Sequence, residues 1–237
     1  MMSYRRSNSD CSVINPKSTF VLSVAFLALL WIAPSGSSWP VKSYRELRFQ
    51  HLRSQNTLGS CGPASLATLF AEFYGKDIKE KKIIELIRPY LEEEIEKLKE
   101  DRELPEGGVS MLDLKKVSQK MGLRAKGYKI PKNELVPLLQ KLATPLLLHL
   151  EEPEEHFALA IGTVDGGIVL GDPTWGLREI SKSAIFDDWD GLTLAFAPQK
   201  AFRVNSREVK SEVLRDLLGR KKTQNLSLTI LRGHDIV

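Results

Sequence analysis

Cysteine is scarce in this chain of 237 residues, which holds only Cys11 and Cys61. A disulfide framework is therefore excluded unless those two pair. Long apolar runs are scarce as well. The longest, Phe20 to Ala33, spans 14 residues and is interrupted only by Ser23. That is short of the about 18 apolar residues a membrane-spanning helix usually needs, so a multi-span membrane protein is excluded. No sign of charge dominates: 34 Lys and Arg face 30 Asp and Glu, a net charge of +4. Half of that excess sits in the first 38 residues, where Arg5, Arg6 and Lys17 outweigh Asp10. The remainder carries no basic footprint for nucleic acid. With 16 Gly and 12 Pro, the chain is neither collagen-like nor wholly disordered. It contains no internal repeat and no low-complexity stretch. What remains is an ordinary globular composition, long enough for one generous domain or two small ones.

The N-terminus has the pattern of an address. Three cations precede the apolar run, whose length falls in the range of about 7–15 expected for a secretory core. Pro34-Ser35-Gly36-Ser37-Ser38 then breaks the helix and offers small residues to a signal peptidase. Residues 1–37 read as a cleaved signal peptide. The alternative is an uncleaved anchor through residues 18–33, with Arg5 and Arg6 inside. Either way the protein is expected to be exported, to the periplasm or the extracellular space. Cys11 leaves with a cleaved signal, and Cys61 becomes a lone thiol in an oxidising compartment. A lone thiol there is either buried and inert or a nucleophile.

Residues 39–58 are polar and mixed and read as a lead-in loop. A helix is expected from Gly62-Pro63, with Leu66, Leu69, Phe70 and Phe73 on one face and Gly75 as its stop. The charged stretch Lys76 to Glu103 keeps helical spacing at Ile83, Ile84, Ile87, Leu91, Ile95 and Leu98. Its run Glu92 to Arg102 reads as a solvated helix face. Pro105 to Gly108 is a loop. Ser110, with Asp113 three residues on, opens a further helix that buries Leu114, Val117 and Met121 and stops at Gly122. A short strand over Arg124 to Ile130 and a short helix over Lys132 to Leu142 follow. From Pro145 the pattern turns to short apolar strands: Pro145 to Leu150, His156 to Val164, Ile168 to Asp172 and Leu192 to Ala197. Asp165-Gly166-Gly167 joins two of them in a tight hairpin. Helices first and an antiparallel sheet second make the α+β class. Residues 201–237 form a basic tail in which Val209, Val213 and Leu217 mark one amphipathic helix. That helix either packs on the domain or meets a partner of unknown identity.

Cys61 lies where a loop turns into a helix. Backbone N–H groups there lack intrahelical partners and the dipole is positive, which favours thiolate over thiol. Gly59 and Gly62 leave the sulfur little steric cover. A nucleophile of this kind requires a base. Of the four histidines, His51 lies in the lead-in loop, His234 in the terminal tail, and His149 in an apolar strand where a satisfied structural role is expected. His156 follows the acidic turn Glu151-Glu152-Pro153-Glu154-Glu155 and opens a strand. Asp172 closes the strand that pairs with it and can hold the imidazole. The stagger between His156 and Asp172 is not readable from sequence, and Asp before Pro is also ordinary turn chemistry. Gln55 carries an amide N–H that can face a developing oxyanion beside the Cys61 N–H. One cysteine and scattered histidines supply no zinc-ligand spacing. No cofactor or metal is expected.

Four segments in order resemble a known family. They are Gln55 with Ser60-Cys61-Gly62-Pro63-Ala64, then Gly108 to Leu114, then His156-Phe157-Ala158-Leu159, then Gly171-Asp172-Pro173-Thr174-Trp175-Gly176. Together they are similar to the bacteriocin-processing, double-glycine-leader cysteine peptidases over roughly Arg48 to Pro198. The resemblance implies a papain-like fold across residues 38–200, with an N-terminal helical half bearing the cysteine and a C-terminal sheet half bearing histidine and aspartate. It implies Cys61 as nucleophile, His156 as base, Asp172 as its orienter and Gln55 as oxyanion donor. It also implies a peptide or protein substrate. The chain departs from the family in having Ser60 where many relatives carry an acid, and in showing no transporter core or nucleotide-binding loop. A leader ending in Gly-Gly is therefore not assumed. The reading is an exported cysteine peptidase. The alternatives are a catalytically idle peptide-binding module of the same fold and an acyl-transferring relative.

Overall fold

A capping box at Ser43 starts a helix where composition suggested only loop. The Ser43 hydroxyl accepts from the Glu46 N–H at 3.2 Å, and the Glu46 carboxylate accepts from the Ser43 N–H at 2.6 Å. That reciprocal pair sets α1, Tyr44–Arg48. The computed structural model describes residues 42–98, 109–151, 154–199 and 205–233. Segment 1–37, the Pro105 to Gly108 loop, and residues 201–204 and 234–237 of the tail, His234 among them, lie outside the described residues. So do the side chains of Leu91 to Leu98, on which the solvated-face expectation falls.

The second helix, α2, spans Cys61–Thr68 and is buried along its whole length. It begins at Cys61, one residue earlier than expected. Pro63 sits in its first turn, where an N–H has no intrahelical partner to lose. The helix runs on as a π-helical turn, Leu69–Phe73. Leu66, Leu69, Phe70 and Phe73 form the expected buried stripe. Gly75, at φ 63°, ends it. Helix α3, Glu80–Leu98, buries Ile83 and Ile87. Helix α4, Met111–Lys120, has the capping box read from Ser110 and Asp113 and buries Leu114 and Val117.

Six strands build one antiparallel sheet: β1 Leu123–Lys129, β2 Leu146–Leu150, β3 His156–Val164, β4 Gly167–Asp172, β5 Gly176–Ile180 and β6 Trp189–Pro198. Their spatial order is β1-β6-β2-β3-β4-β5. The β3–β4 hairpin turns at Asp165 and Gly166, with φ of 51° and 84°, the left-handed pair a two-residue hairpin requires. Strand β5 and the short helix α6, Lys182–Asp188, were not expected. Ile180 alone is apolar after Leu177 in β5, so its alternation is too brief to read. Between β1 and β2, a single 3₁₀ turn, Lys132–Glu134, leads into α5, Leu135–Lys141.

The sheet separates two apolar layers. Phe157, Leu159, Ile161 and Val169 meet the stripe of α2 together with Leu114 and Val117 of α4. Ala158, Ala160, Ile168 and Leu170 face Leu135 and Leu139 of α5, Ile185 of α6 and Trp189. Helical and sheet halves pack as expected of the α+β class.

The C-terminal helix α7, Ser206–Gly233, packs on this body rather than standing apart. Val213 and Leu217 are buried in the first layer. Polar ties hold α7 as well, among them those of Lys210, Arg220 and His51. The nearly buried Lys210 amine donates to the carbonyls of Leu139 and Leu142 (the latter at 2.8 Å), which would otherwise be left open at the C-terminal end of α5. Arg220 donates to the Leu47 carbonyl at 2.8 Å. His51 is wedged between Asp216 of α7, 2.7 Å from Nε2, and Glu72 under it, 3.7 Å from Nδ1.

Replacing Lys210 by Met keeps the apolar stem but strands the two carbonyls. Urea unfolding should show a loss of about 1–3 kcal/mol. The His51 pairing makes a second, pH-dependent prediction. Glu72 raises the His51 pKa most, against the opposing pull of burial, and Asp216 adds to it. Glu72 is farther away than Asp216 but better shielded, with 25% of its side chain exposed against 40%. Because the folded-state pKa is the higher one, the contribution is complete below the unfolded value of about 6.5 and fades as pH rises through the folded value. In urea titrations, His51→Gln should be destabilised most below about pH 6, and the gap should narrow towards alkaline pH.

Candidate active site

The position of Cys61 depends on the absence of a side chain beside it. A Cβ on Gly62 would lie 2.7 Å from Leu114 Cδ1 and 3.2 Å from Phe157 Cδ2. Only glycine lets the first turn of α2 sit this close to both α4 and β3. The Ser65 hydroxyl reinforces the docking by donating to the Phe157 carbonyl at 3.3 Å. Cys61 thus comes to lie beside the start of β3, where His156 stands. Ser60 is buried and closes the preceding turn. Its hydroxyl donates to the Thr57 carbonyl at 2.6 Å.

His156 faces two partners. Its Nε2 is 3.0 Å from Asp172 Oδ1. It also stands by the Cys61 thiol, close enough that each group shifts the pKa of the other. With Nε2 engaged by the carboxylate, Nδ1 is the ring nitrogen left to exchange a proton with sulfur. The stagger that could not be read from sequence is resolved by a β-bulge. Val164 pairs with Gly167 and Gly162 with Val169, but Ala160 pairs with Leu170, so Ile161 is an extra residue. Without that shift Asp172 would fall opposite Leu159 and point to the other face from His156. With it, Asp172 falls opposite Ala158 and shares the His156 face.

Asp172 is fully buried, and both of its carboxylate oxygens are hydrogen-bonded. Oδ1 accepts from the Thr174 N–H at 2.9 Å and the Trp175 N–H at 3.0 Å, and Oδ2 accepts from the Arg178 guanidinium at 3.0 Å. Burial pushes its pKa up, but His156 and the two backbone N–H groups outweigh it, and the carboxyl is held below its usual range. Burial likewise opposes charge on His156, yet Asp172 and Cys61 raise its pKa to about 9. Burial pushes the Cys61 thiol up. The His156 ring and the backbone N–H groups of Phe157 and Gly62 more than reverse this, so its pKa is lowered. The thiol pKa is thus lowered and the imidazole pKa raised, which favours transfer of the proton from sulfur to the ring, with Asp172 ionised behind them.

Gln55 reaches the site through a second tethered loop. Its N–H donates to the Pro173 carbonyl at 2.9 Å. Its side-chain Oε1 accepts from the Thr174 hydroxyl at 3.0 Å, which leaves the Nε2 donor uncommitted to that contact. The next residue, Asn56, is clamped by Glu80 at the start of α3, through its N–H at 3.1 Å and its side-chain amide. The arrangement can take a proton from sulfur, hold the imidazolium that results, and offer an amide donor close by.

Arg178, Thr174 and Glu80 were not singled out from the sequence. Arg178 lies on the unexpected strand β5, six residues after Asp172, where only the register of β4 with β5 brings it back to the carboxylate. His149 differs from expectation. It is not a satisfied core histidine: its Nδ1 has no hydrogen-bond partner, and its ring lies 5.2 Å from that of Phe157. It lines a cavity of about 310 Å³ beside Cys61. His51 serves the fold, as described above. Among the described residues, no helix is long and apolar enough to cross a membrane. The run Phe20 to Ala33, on which the anchor expectation rests, lies outside them.

A family model described as the Peptidase C39 family matches residues 50–201. Among curated proteins the chain is similar to "Probable functional amyloid protease FapD" of Pseudomonas aeruginosa. The two are 31% identical over 166 residues, covering 70% of this chain and 68% of that protein. A protein of the same name from Pseudomonas fluorescens is 30% identical over 155 residues, covering 65% of this chain and 64% of its own length. Among solved structures, the peptidase domain of Streptococcus ComA, described as a bi-functional ABC transporter involved in a quorum sensing pathway, matches 63% of this chain and 98% of its own. It does so at a TM-score of 0.52 and 22% identity, which is a likeness of fold.

The lowered thiol pKa predicts that Cys61 is alkylated by iodoacetamide at about pH 6 at least ~10 times faster than free cysteine, which is almost entirely protonated there. In His156→Ala the advantage should shrink or disappear, because burial then acts on the thiol without its largest opponent. Mass-spectrometric rate measurements check both.

Proposed function

This chain belongs to the peptidase C39 family and is a cysteine peptidase, and from that premise we propose that it cleaves peptide bonds through Cys61, His156, Asp172 and Gln55. The observation that carries this reading is His156 engaged on one side with the thiol and on the other with a fully buried, fully hydrogen-bonded Asp172. Sulfur, already relieved of its proton by His156, attacks the substrate carbonyl carbon. A C–S bond forms while the carbonyl π pair moves to oxygen. Gln55 Nε2 and the Cys61 N–H donate to that oxyanion. The oxyanion collapses, the C–N bond breaks, and the leaving amine takes the proton from His156. Water then attacks the thioester, giving a proton to His156, and the acid product leaves as the thiolate is restored. Asp172 stays ionised throughout and holds the ring. Arg178, Thr174 and Trp175 keep Asp172 in place.

The lowered pKa of the Cys61 thiol beside His156 supports turnover over an idle binding module of the same fold. The substrate is a peptide or protein. The name carried by the two Pseudomonas relatives supports a component of a functional amyloid system as that substrate. The cationic start and apolar run of residues 1–37 support export, with the peptidase acting in the periplasm or outside the cell. N-terminal sequencing of the protein from fractionated cells tests this, and an uncleaved chain in the cytosol would reject it.

A diverse peptide library incubated with the protein, followed by sequencing of the new ends, tests the activity. Cys61→Ala should show no cleavage while keeping the parent's thermal unfolding profile. Gln55→Ala should keep the rapid thiol alkylation but lose roughly 10²–10³-fold in kcat, the usual scale for one oxyanion donor. The activity of the parent should fall on the alkaline side as His156 deprotonates at about 9. Undiminished cleavage by Cys61→Ala would exclude the proposed nucleophile.

A further inference from the structure

The cavity beside Cys61 has about 310 Å³ of space, which a glycine flanking the scissile bond would leave empty. Its walls are apolar for most of their extent. Val109 and Met111, just before and at the start of α4, face Phe157 of β3 and Leu192 of β6 across it. Leu192 is itself 38% exposed, so this apolar surface is open to solvent when the cavity is empty. Wetting such a wall is unfavourable, and a long apolar stem laid along it relieves the cost.

Besides Cys61 and Ser110, two polar side chains line the cavity. His149 contributes an imidazole with an unpartnered Nδ1, and Glu155 contributes a carboxylate. Glu155 is exposed, and among the described residues no cation pairs with it. It ends a segment, Glu151 to Glu155, with four carboxylates in five positions and no lysine or arginine. Glu151 and Glu154 are exposed as well. An anionic side chain entering the cavity would meet the Glu155 carboxylate. A leucine or methionine would cover the wall but leave the carboxylate without a counter-charge. A lysine or arginine does both, since its methylene stem lies on apolar surface while its charged head stays at the wet end.

We infer that this cavity is a specificity pocket for a lysine or arginine of the substrate, at a position within two residues of the scissile bond, with the stem against Met111, Phe157 and Leu192 and the cation at Glu155. The inference rests on Cys61 being the nucleophile, because the pocket is defined by its nearness to that sulfur. It separates this chain from a strict double-glycine cutter by its own cavity rather than by descent.

The test is a positional-scanning peptide library read by sequencing of the cleaved ends, with the full-length protein, Glu155→Lys and Glu155→Gln. The parent should prefer Lys or Arg over Glu by about tenfold or more at one position within two residues of the cut, a usual scale for one pocket contact. Glu155→Lys should invert that preference towards Asp and Glu, and Glu155→Gln should flatten it. In each protein the preference is read as the ratio of cleavage with Lys or Arg to cleavage with norleucine at that position, so that any change of overall rate through the neighbouring His156 cancels. Selection of glycine or alanine at every position near the cut overturns the inference and leaves the peptidase reading standing. So does a Lys or Arg preference that Glu155→Lys does not move. A parent that cuts nothing in the library and whose Cys61 alkylates no faster than free cysteine overturns both.

Discussion

A carboxylate sealed from water is the constraint around which this structure is arranged. Asp172 has no exposed surface, and an ionised carboxylate in that position is tolerable only if every lone pair is met. Four donors meet it: the His156 ring, the N–H groups of Thr174 and Trp175, and the Arg178 guanidinium. Two of them lie in the turn that follows β4 and one lies on β5. The tight turn and the short strand after Asp172 are therefore the housing of a charge. Once the charge is fixed, His156 is held by one ring nitrogen and its proton is favoured. The pKa of the thiol beside it is then lowered despite its burial.

Geometry at this scale needs close approach, and the chain obtains it by omitting side chains. Gly62 lets α2 meet Leu114 and Phe157. Gly171, next to Asp172, has Leu52 Cδ2 and Ile161 Cδ1 where a Cβ would stand, at 2.8 and 3.0 Å. Ile161 is the bulged residue of β3. The same local irregularity thus brings Asp172 onto the His156 face and fills the space above Gly171. A bulge next to a reactive site re-aims one side chain without disturbing the rest of the ladder.

The helical layer supports the site indirectly. Glu80 opens α3 and at the same time clamps Asn56, so the loop bearing Gln55 is tied to the scaffold rather than to solvent. The C-terminal helix is fastened by Lys210, Arg220 and His51 to three separate parts of the body. It belongs to the folded unit, although its basic composition alone left open that it met another molecule.

The sequence by itself determined the parts whose physics is local. The break of Cys61-Gly62-Pro63 into a helix, the stripe Leu66, Leu69, Phe70 and Phe73, the capping box at Ser110 and the hairpin at Asp165-Gly166 each depend on neighbours a few residues away. The same holds for the alternation that marks β2, β3 and β4. The α+β class and the family resemblance followed from these. Tertiary structure decided what depends on distant partners. The bulge at Ile161 leaves no mark in composition, yet it sets which face Asp172 presents. Arg178 is an ordinary strand cation until the β4–β5 register brings it to Asp172. His149 looked like a core residue because its strand is apolar, and only the packing of β6 and α4 opened a cavity at its ring. Periodicity reports which face a residue takes within its own element, whereas the pairing of elements decides what that face meets.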